Sequence, residues 1–183
     1  MPDRTSWTID PAHTEVGFAV KHLMIATVRG RFTEVRGSIQ MDERTPADGA
    51  ADVSIGVASI TTGNADRDAH LRSADFFDAE HFPTIRFQSR RVEPGAAGSF
   101  LLHGDLTIRG VTRPVALEVH SEGTVQDPWG SRRAGFSAAL RIKRSDFGIT
   151  WNQLIEAGGV AVGDEVRITL EAELIQEGVK QAA

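Results

Sequence analysis

The sequence predicts an all-β fold: an eight-stranded antiparallel up-and-down β-barrel with one short helical segment near 64–82. Three observations carry this. Apolar residues recur at every second position through most of the chain, the period of a strand with one dry face and one wet face. Turn-forming clusters separate these stretches at short spacing: TPADG at 45–49, EPGAAG at 93–98, RGVT at 109–112 and DPWG at 127–130. The length, 183 residues, suits a single domain over 1–183, with a frayed tail over 177–183.

The strands follow in order. The first runs from Thr14 to His22, with Val16, Phe18, Val20 and His22 on one face and Glu15, Gly17, Ala19 and Lys21 on the other. Val35, Gly37, Ile39 and Met41 mark the second, Val53, Ile55 and Val57 the third, Ile85 and Phe87 the fourth. The fifth carries Phe100, Leu102, Gly104, Leu106 and Ile108, and the sixth Val115, Leu117 and Val119. Phe136, Ala138, Leu140 and Ile142 form the seventh, and Val166, Ile168, Leu170, Ala172 and Leu174 the eighth. Their neighbours Arg141, Lys143, Glu165, Arg167, Thr169, Glu171 and Glu173 place the other face in water. Between the third and fourth strands, NADRDAHLRSAD has helical composition, with Asn64 as a cap and Asp68 and Arg72 at i, i+4 spacing. Pro83 stops any further turn. This segment is placed to close one end of a barrel or to carry its entrance.

Eight such strands either close on themselves, which removes both edges, or split into two packed sheets. The inward sets mix bulky and small residues, and an eight-stranded barrel is at the size where the interior is either just filled or holds one small ligand. Strands of ten residues run ~33 Å, reduced by tilt to an axial height of ~25 Å, so a long chain would bend to fit. Composition removes other classes. There is no cysteine, hence no disulfide framework, thiolate metal site or cysteine nucleophile. Twenty basic against 25 acidic residues give a net charge of −5, with no separate basic cluster of the kind nucleic acid requires. No run of 18 apolar residues offers an integral membrane segment, and MPDRTSWTID lacks the apolar core of a secretory signal, so the expected location is cytoplasmic.

Nine phenylalanines are the richest apolar resource. Phe18, Phe32, Phe76, Phe77, Phe82, Phe87, Phe136 and Phe147 fall on inward faces or in rim segments, as do Val20, Val57, Leu71, Leu102 and Leu140. Such residues either pack a core or line the wall that a prenyl or acyl chain needs. A polar head needs donors at the mouth, for which Arg67, His70 and Arg72 are the candidates, with Asn64 as a cap. Arg67 with Asp68, or Asp68 with Arg72, reads equally as a helix-surface ion pair. His22 is the one histidine expected to point inward. Six histidines show no HxH, HxxxH or HExxH spacing, and His103 and His120 share only an outward parity, so no metal and no cofactor is expected. In RSDFGI, Asp146 reads as a turn cap and Gly148 as the supplier of an unusual backbone angle. No GxSxG elbow or phosphate loop occurs.

Four stretches, WTIDPAHTEVGFAVKHLMIATVRGRF, SITTGNADRDAHLRSADFFDAEHFPTIRF, GDLTIRGVTRPV and RSDFGITWN, taken in order, resemble the YceI-like family of polyisoprenoid-binding, lipocalin-like proteins from about Trp7 to Leu174. The resemblance implies a hollow eight-stranded barrel and an extended lipid inside it, of polyprenyl diphosphate or isoprenoid quinone type. It also implies frequent homodimers and no established catalytic reaction. Many members are exported, whereas no signal is visible here. The expectation is therefore non-catalytic binding, storage or transport of a long-chain amphiphilic lipid. Two alternatives stand beside it: an enzyme on an apolar substrate, with His22 or His70 working with Asp68, and a ligand-free interaction module.

Overall fold

A computed structural model of the chain describes residues 4–42 and 44–178. Its strands are β1 (Thr5–Ile9), β2 (Glu15–His22), β3 (Ala26–Phe32), β4 (Val35–Asp42), β5 (Thr45–Gly56), β6 (Ile60–Thr61), β7 (Thr84–Pro94), β8 (Ser99–Ile108), β9 (Val111–Gln126), β10 (Arg132–Lys143) and β11 (Val162–Gln176). One helix, α1 (Ala65–Arg72), lies between β6 and β7.

Three of the barrel's eight strands are bent, and the bends explain why eleven segments make a ring of eight. β1 and β2 are halves of one strand broken by a 3-10 turn at Pro11–His13, and β3 and β4 are halves of another broken at residues 33–34. β5 passes through a 3-10 turn at Val57–Ser59 into β6, which pairs with β3 as β5 pairs with β4. The first two pair with each other as a single bent hairpin, Trp7 opposite Ile39 and Val20 opposite Val28. β11 runs along both halves of the first, pairing Leu174 with Ile9 and Leu170 with Val16, and so closes the ring. The first two bends have local causes. Pro11 carries no N–H, and the Asp10 carboxylate accepts from the amide of Ala12 at 3.0 Å. At the second bend the freed amides of Thr33 and Glu34 both donate to the hydroxyl of Ser59, at 3.1 and 3.0 Å.

The eight expected strands are all present with the expected apolar faces inward, save His22 and Val57 at strand ends. β1 and β3 were not expected, although Trp7 on β1 has no exposed surface at all and anchors the core. Pairing of Asp42 with Thr45 puts the turn at 42–45, where the Asp42 carboxylate accepts from the amide of Arg44 at 2.8 Å. TPADG at 45–49 is therefore not a turn but the start of β5. The helix begins as expected, with the Asn64 side chain accepting from the amide of Arg67 at 2.9 Å, and ends at Arg72 with Ser73 as its cap. Of the tail, Glu177 still donates its amide to Ser6 at 2.8 Å, and residues 179–183 lie outside the described residues.

The small inward residues do accommodate large neighbours. A Cβ on Gly104 would stand 2.5 and 2.6 Å from ring carbons of Phe87 and would also meet the backbone oxygen of Gln88. Gly104→Ala is expected to destabilise the fold by about 1–3 kcal/mol, because one of the two obstructions is backbone and cannot move aside. A urea midpoint within error of the parent would remove Gly104 from the packing argument.

Candidate ligand cavity

Filling at the glycines does not fill the barrel. A cavity of about 180 Å³ occupies the half nearer α1, and a second of about 110 Å³ occupies the other half. Either is well above the ~10–15 Å³ that a single water needs. They share Val53, Phe87, Leu117, Ala138 and Leu170 as wall, so they lie end to end along the barrel with these five side chains at the junction. The walls are aliphatic and aromatic: Val16, Phe18, Val20, Leu140, Ile168 and others in the first, Ile39, Phe100, Leu102, Phe136 and Ala172 in the second. Water gains almost no hydrogen-bond partner in such a space, which favours an apolar occupant.

A lid closes the α1 end. Leu71, Phe76 and Phe77 reach in from α1 and the turns after it, and Phe147 and Ile149 from the connection between β10 and β11. Aromatic rings join the two pieces, with Trp151 at 5.3 Å from Phe76, and Phe77 stands edge-on to Phe32 of β3 at 5.7 Å. Arg109 donates to the carbonyl of Phe76 at 3.1 Å and more loosely to that of Gly148 at 3.4 Å. Arg144 lies behind the lid, 7% exposed. Its guanidinium donates to the carbonyls of Gly163 (2.8 Å), Ile149 (3.0 Å), Trp151 (2.8 Å) and Val162 (3.2 Å). Burial depresses its pKa, partly offset by Asp164. The first turn here is capped by Asp164, not Asp146: its carboxylate accepts from the amide and the hydroxyl of Ser145, at 3.0 and 2.8 Å. Gly148 has the unusual backbone angle expected of it, a left-handed one.

Of the expected site residues, Phe18, Val20, Phe32, Leu71, Phe76, Phe77, Phe87, Leu140 and Phe147 line the first cavity, and Leu102 and Phe136 the second. Five do not. His22 is exposed rather than inward, because β2 ends there at the rim beside the turn to β3. Val57 follows the end of β5 into a 3-10 turn and is buried outside the cavity walls. Phe82 packs on Gly110 at the turn between β8 and β9. Arg67 is exposed and donates to the hydroxyl and carbonyl of Thr62 at 2.7 and 3.0 Å. His70 pairs with Asp75 at 2.9 Å and sits against the rings of Phe76 and Trp151, outside the wall.

The expected helix-surface ion pairs are absent too: Asp68 is buried and accepts from the amide and hydroxyl of Thr62 at 2.8 and 2.6 Å, while Arg72 donates to the carbonyls of Ala58 and Ile60. Burial alone would raise the pKa of Asp68, but the Thr62 hydrogen bonds and the Arg72 charge outweigh it and hold the carboxyl low. Neither His22 nor His70 meets Asp68, so the dyads that the sequence permits are not assembled. His103 and His120 are also apart, bound to Glu93 and Ser99 respectively.

One polar cluster escapes sequence spacing because three elements build it. At the bend after β1, Asp10, His13 and Glu173 bring ligand-type atoms within 4.8 Å of one another. The guanidinium of Arg133 already holds that place, donating to Asp10 (2.9 Å), Asp127 (2.7 Å) and Glu173. The hydrogen bond between His13 and Asp10, 2.9 Å long, raises the pKa of His13, and the same bond, against burial and with Arg133, lowers that of Asp10. His13 therefore contributes stability that is complete below its ordinary value of 6.5 and fades as pH rises through the higher folded value. Asp10 contributes stability present above its ordinary 3.8 and lost as pH falls through the lower folded value. Accordingly, His13→Ala is expected to lower the urea midpoint more at about pH 5.5 than at about pH 8.5. An equal deficit at both would show that protonation of His13 adds nothing.

Comparison with known proteins adds four similarities. The family described as YceI-like domain matches residues 7–174. A UPF0312 protein of Shewanella denitrificans is 36% identical over 170 residues, covering 93% of this chain and 84% of its own. The crystal structure of Burkholderia cenocepacia BcnA superposes with a TM-score of 0.77 at 26% identity, over 90% of this chain and 98% of that one. A polyisoprenoid binding domain from Saccharophagus degradans shares the fold, with a TM-score of 0.69 at 15% identity over 94% and 99% of the two chains.

Proposed function

The chain belongs to the YceI-like family, and from that premise we propose that it binds and carries a long-chain amphiphilic lipid, of polyprenyl diphosphate or isoprenoid quinone type, without chemical turnover. The observation that carries this reading is the pair of contiguous apolar cavities through the barrel. The polyisoprenoid binding domain of Saccharophagus degradans, which shares the fold, supports the class of ligand.

Affinity then comes from the chain, not the head. Each CH₂ moved from water to the wall contributes ~0.8 kcal/mol, so ten buried carbons outweigh any single rim hydrogen bond. The head group stays in water at the lid, beside α1 and the turns after it, and its identity matters less than the length and width of its tail. The lid segments carry the entrance, since Leu71, Phe76 and Phe77 are held by a few backbone bonds rather than by a continuous ladder. No reaction is assigned: among the described residues the one titratable side chain in the cavity walls is Arg144, whose guanidinium is taken up by four backbone carbonyls. A homodimer is the expected assembly, and size exclusion of delipidated protein tests it apart from the ligand.

Mass spectrometry of organic extracts from protein purified without detergent tests the reading. A lipid with an isoprene repeat, present at near-stoichiometric amount, is the expected result. Empty protein that also fails to take up a long-chain prenol after delipidation would overturn it.

A further inference from the structure

Six large hydrophobic residues are exposed among the described residues, and four of them form one tip: Leu23, Met24 and Ile25 in the turn between β2 and β3, and Leu154 in the loop before β11. The two loops are joined. The amide of Leu23 donates to the carbonyl of Ala161 at 2.9 Å, and the Met24 sulfur packs on Gly159. Ile25 is 86% exposed and Leu154 83%, so these side chains project outward and line no groove.

The backbone of this turn is unusual as well. Leu23 and Met24 have φ of +50° and +62°, and the amide of Ile25 closes the turn on the carbonyl of His22 at 3.2 Å. Two successive left-handed residues make the tight hairpin turn that Asn-Gly normally occupies, and bulky side chains are disfavoured there. Backbone strain at Leu23 and Met24 and exposed apolar surface at all four positions both oppose stability, which marks the tip as serving another purpose. Their place suggests which. His22 pairs with Val162, a residue of the first cavity's wall, so the tip stands at the rim on the side of the lid.

We propose that this tip docks the barrel on the surface of a phospholipid bilayer, where the apolar chain passes between membrane and cavity. The inference rests on the lipid-carrier reading above. A few projecting apolar side chains suffice to enter the acyl boundary, whereas a specific protein partner needs about 800 Å² of surface on each side. The tip is contiguous with the cavity that receives the chain, so docking there shortens the distance the chain crosses in water.

Co-sedimentation with phosphatidylcholine vesicles tests this, using the full chain and two double variants. Ile25→Ser with Leu154→Ser removes apolar bulk from the two most exposed positions. Leu23→Asn with Met24→Gly installs the residues that the turn conformation prefers. Both are expected to weaken vesicle association more than tenfold while keeping the co-purified lipid, and the second is also expected to raise the melting temperature. A purely structural role for the turn would instead leave association unchanged. Absence of vesicle association by the parent, or association equal to the parent's in both variants, would overturn the proposal. So would a parent dimer that becomes monomeric in the variants, which would assign the tip to a second copy of the chain. Vesicle association by a protein that never holds lipid would overturn the carrier reading and leave the docking surface standing.

Discussion

Arg144→Met is expected to lower the unfolding free energy by about 3–5 kcal/mol and to release the bound lipid, the largest effect of any single substitution considered. Arg144 is a buried cation that meets no carboxylate directly. Its four hydrogen bonds all go to backbone carbonyls, of residues 149, 151, 162 and 163. Two of those carbonyls belong to the connection that supplies Ile149 to the cavity and Trp151 to the lid, and the other two begin β11, so the guanidinium ties the connection to the sheet. Methionine retains the apolar stem but donates nothing. Only the carbonyl of Val162 keeps another side-chain donor, Asn152 at 2.7 Å. Lysine is not a substitute, since one ammonium cannot span the fork that a planar guanidinium presents. Urea unfolding checks the stability, and lipid extraction from the same sample checks the lid. A loss below about 1 kcal/mol would mean that water replaces the guanidinium at these carbonyls.

Ala138→Phe is expected to divide the interior and to exclude long chains while leaving the fold intact. Ala138 lies on β10 and forms part of the wall of both cavities, among the five residues at their junction. A phenyl group there enters open volume on either side, so the strain of overpacking that meets a substitution in a solid core is reduced. The chain that spans both cavities then loses its path. Co-purified lipid should disappear, or shift to a species short enough for the larger cavity alone. Phe87→Ala is the converse, since it widens the same junction. Full-length lipid in undiminished amount in Ala138→Phe would show that the chain does not cross the junction.

Much of this wall is legible from period-two alternation. Val16 to Val20, Phe100 to Ile108 and Val166 to Leu174 read inward from the sequence and point inward in the barrel, because a pleated strand leaves a side chain only two faces. The rule fails where the strand stops. His22 keeps the inward parity and is exposed, since β2 ends at the rim. Val57 keeps it too and leaves the wall, since β5 ends at Gly56. β1 and β3 are short and end in bends, so their alternation is brief, yet Trp7 is the most completely buried large side chain of the core. The Asp10, His13, Arg133 and Glu173 cluster and the Arg144 anchor had no local signal. The cluster brings Arg133 and Glu173 to Asp10 from distant strands that meet only when the barrel closes, and Arg144 reaches forward to residues 149, 151, 162 and 163 through a connection with no regular period.

The sequence by itself determined that the chain forms amphipathic strands and which residues make their wet and dry faces, because side-chain direction along a strand is a local property, whereas closure into a ring rather than two packed sheets rests on the β1–β11 pairing. Only the tertiary structure decided that the interior is hollow, that it is parted into two cavities at Ala138 and Phe87, and that α1 closes one end. Void volume is the small difference between the space that eight strands enclose and the side chains they contribute to it. No single strand carries that difference.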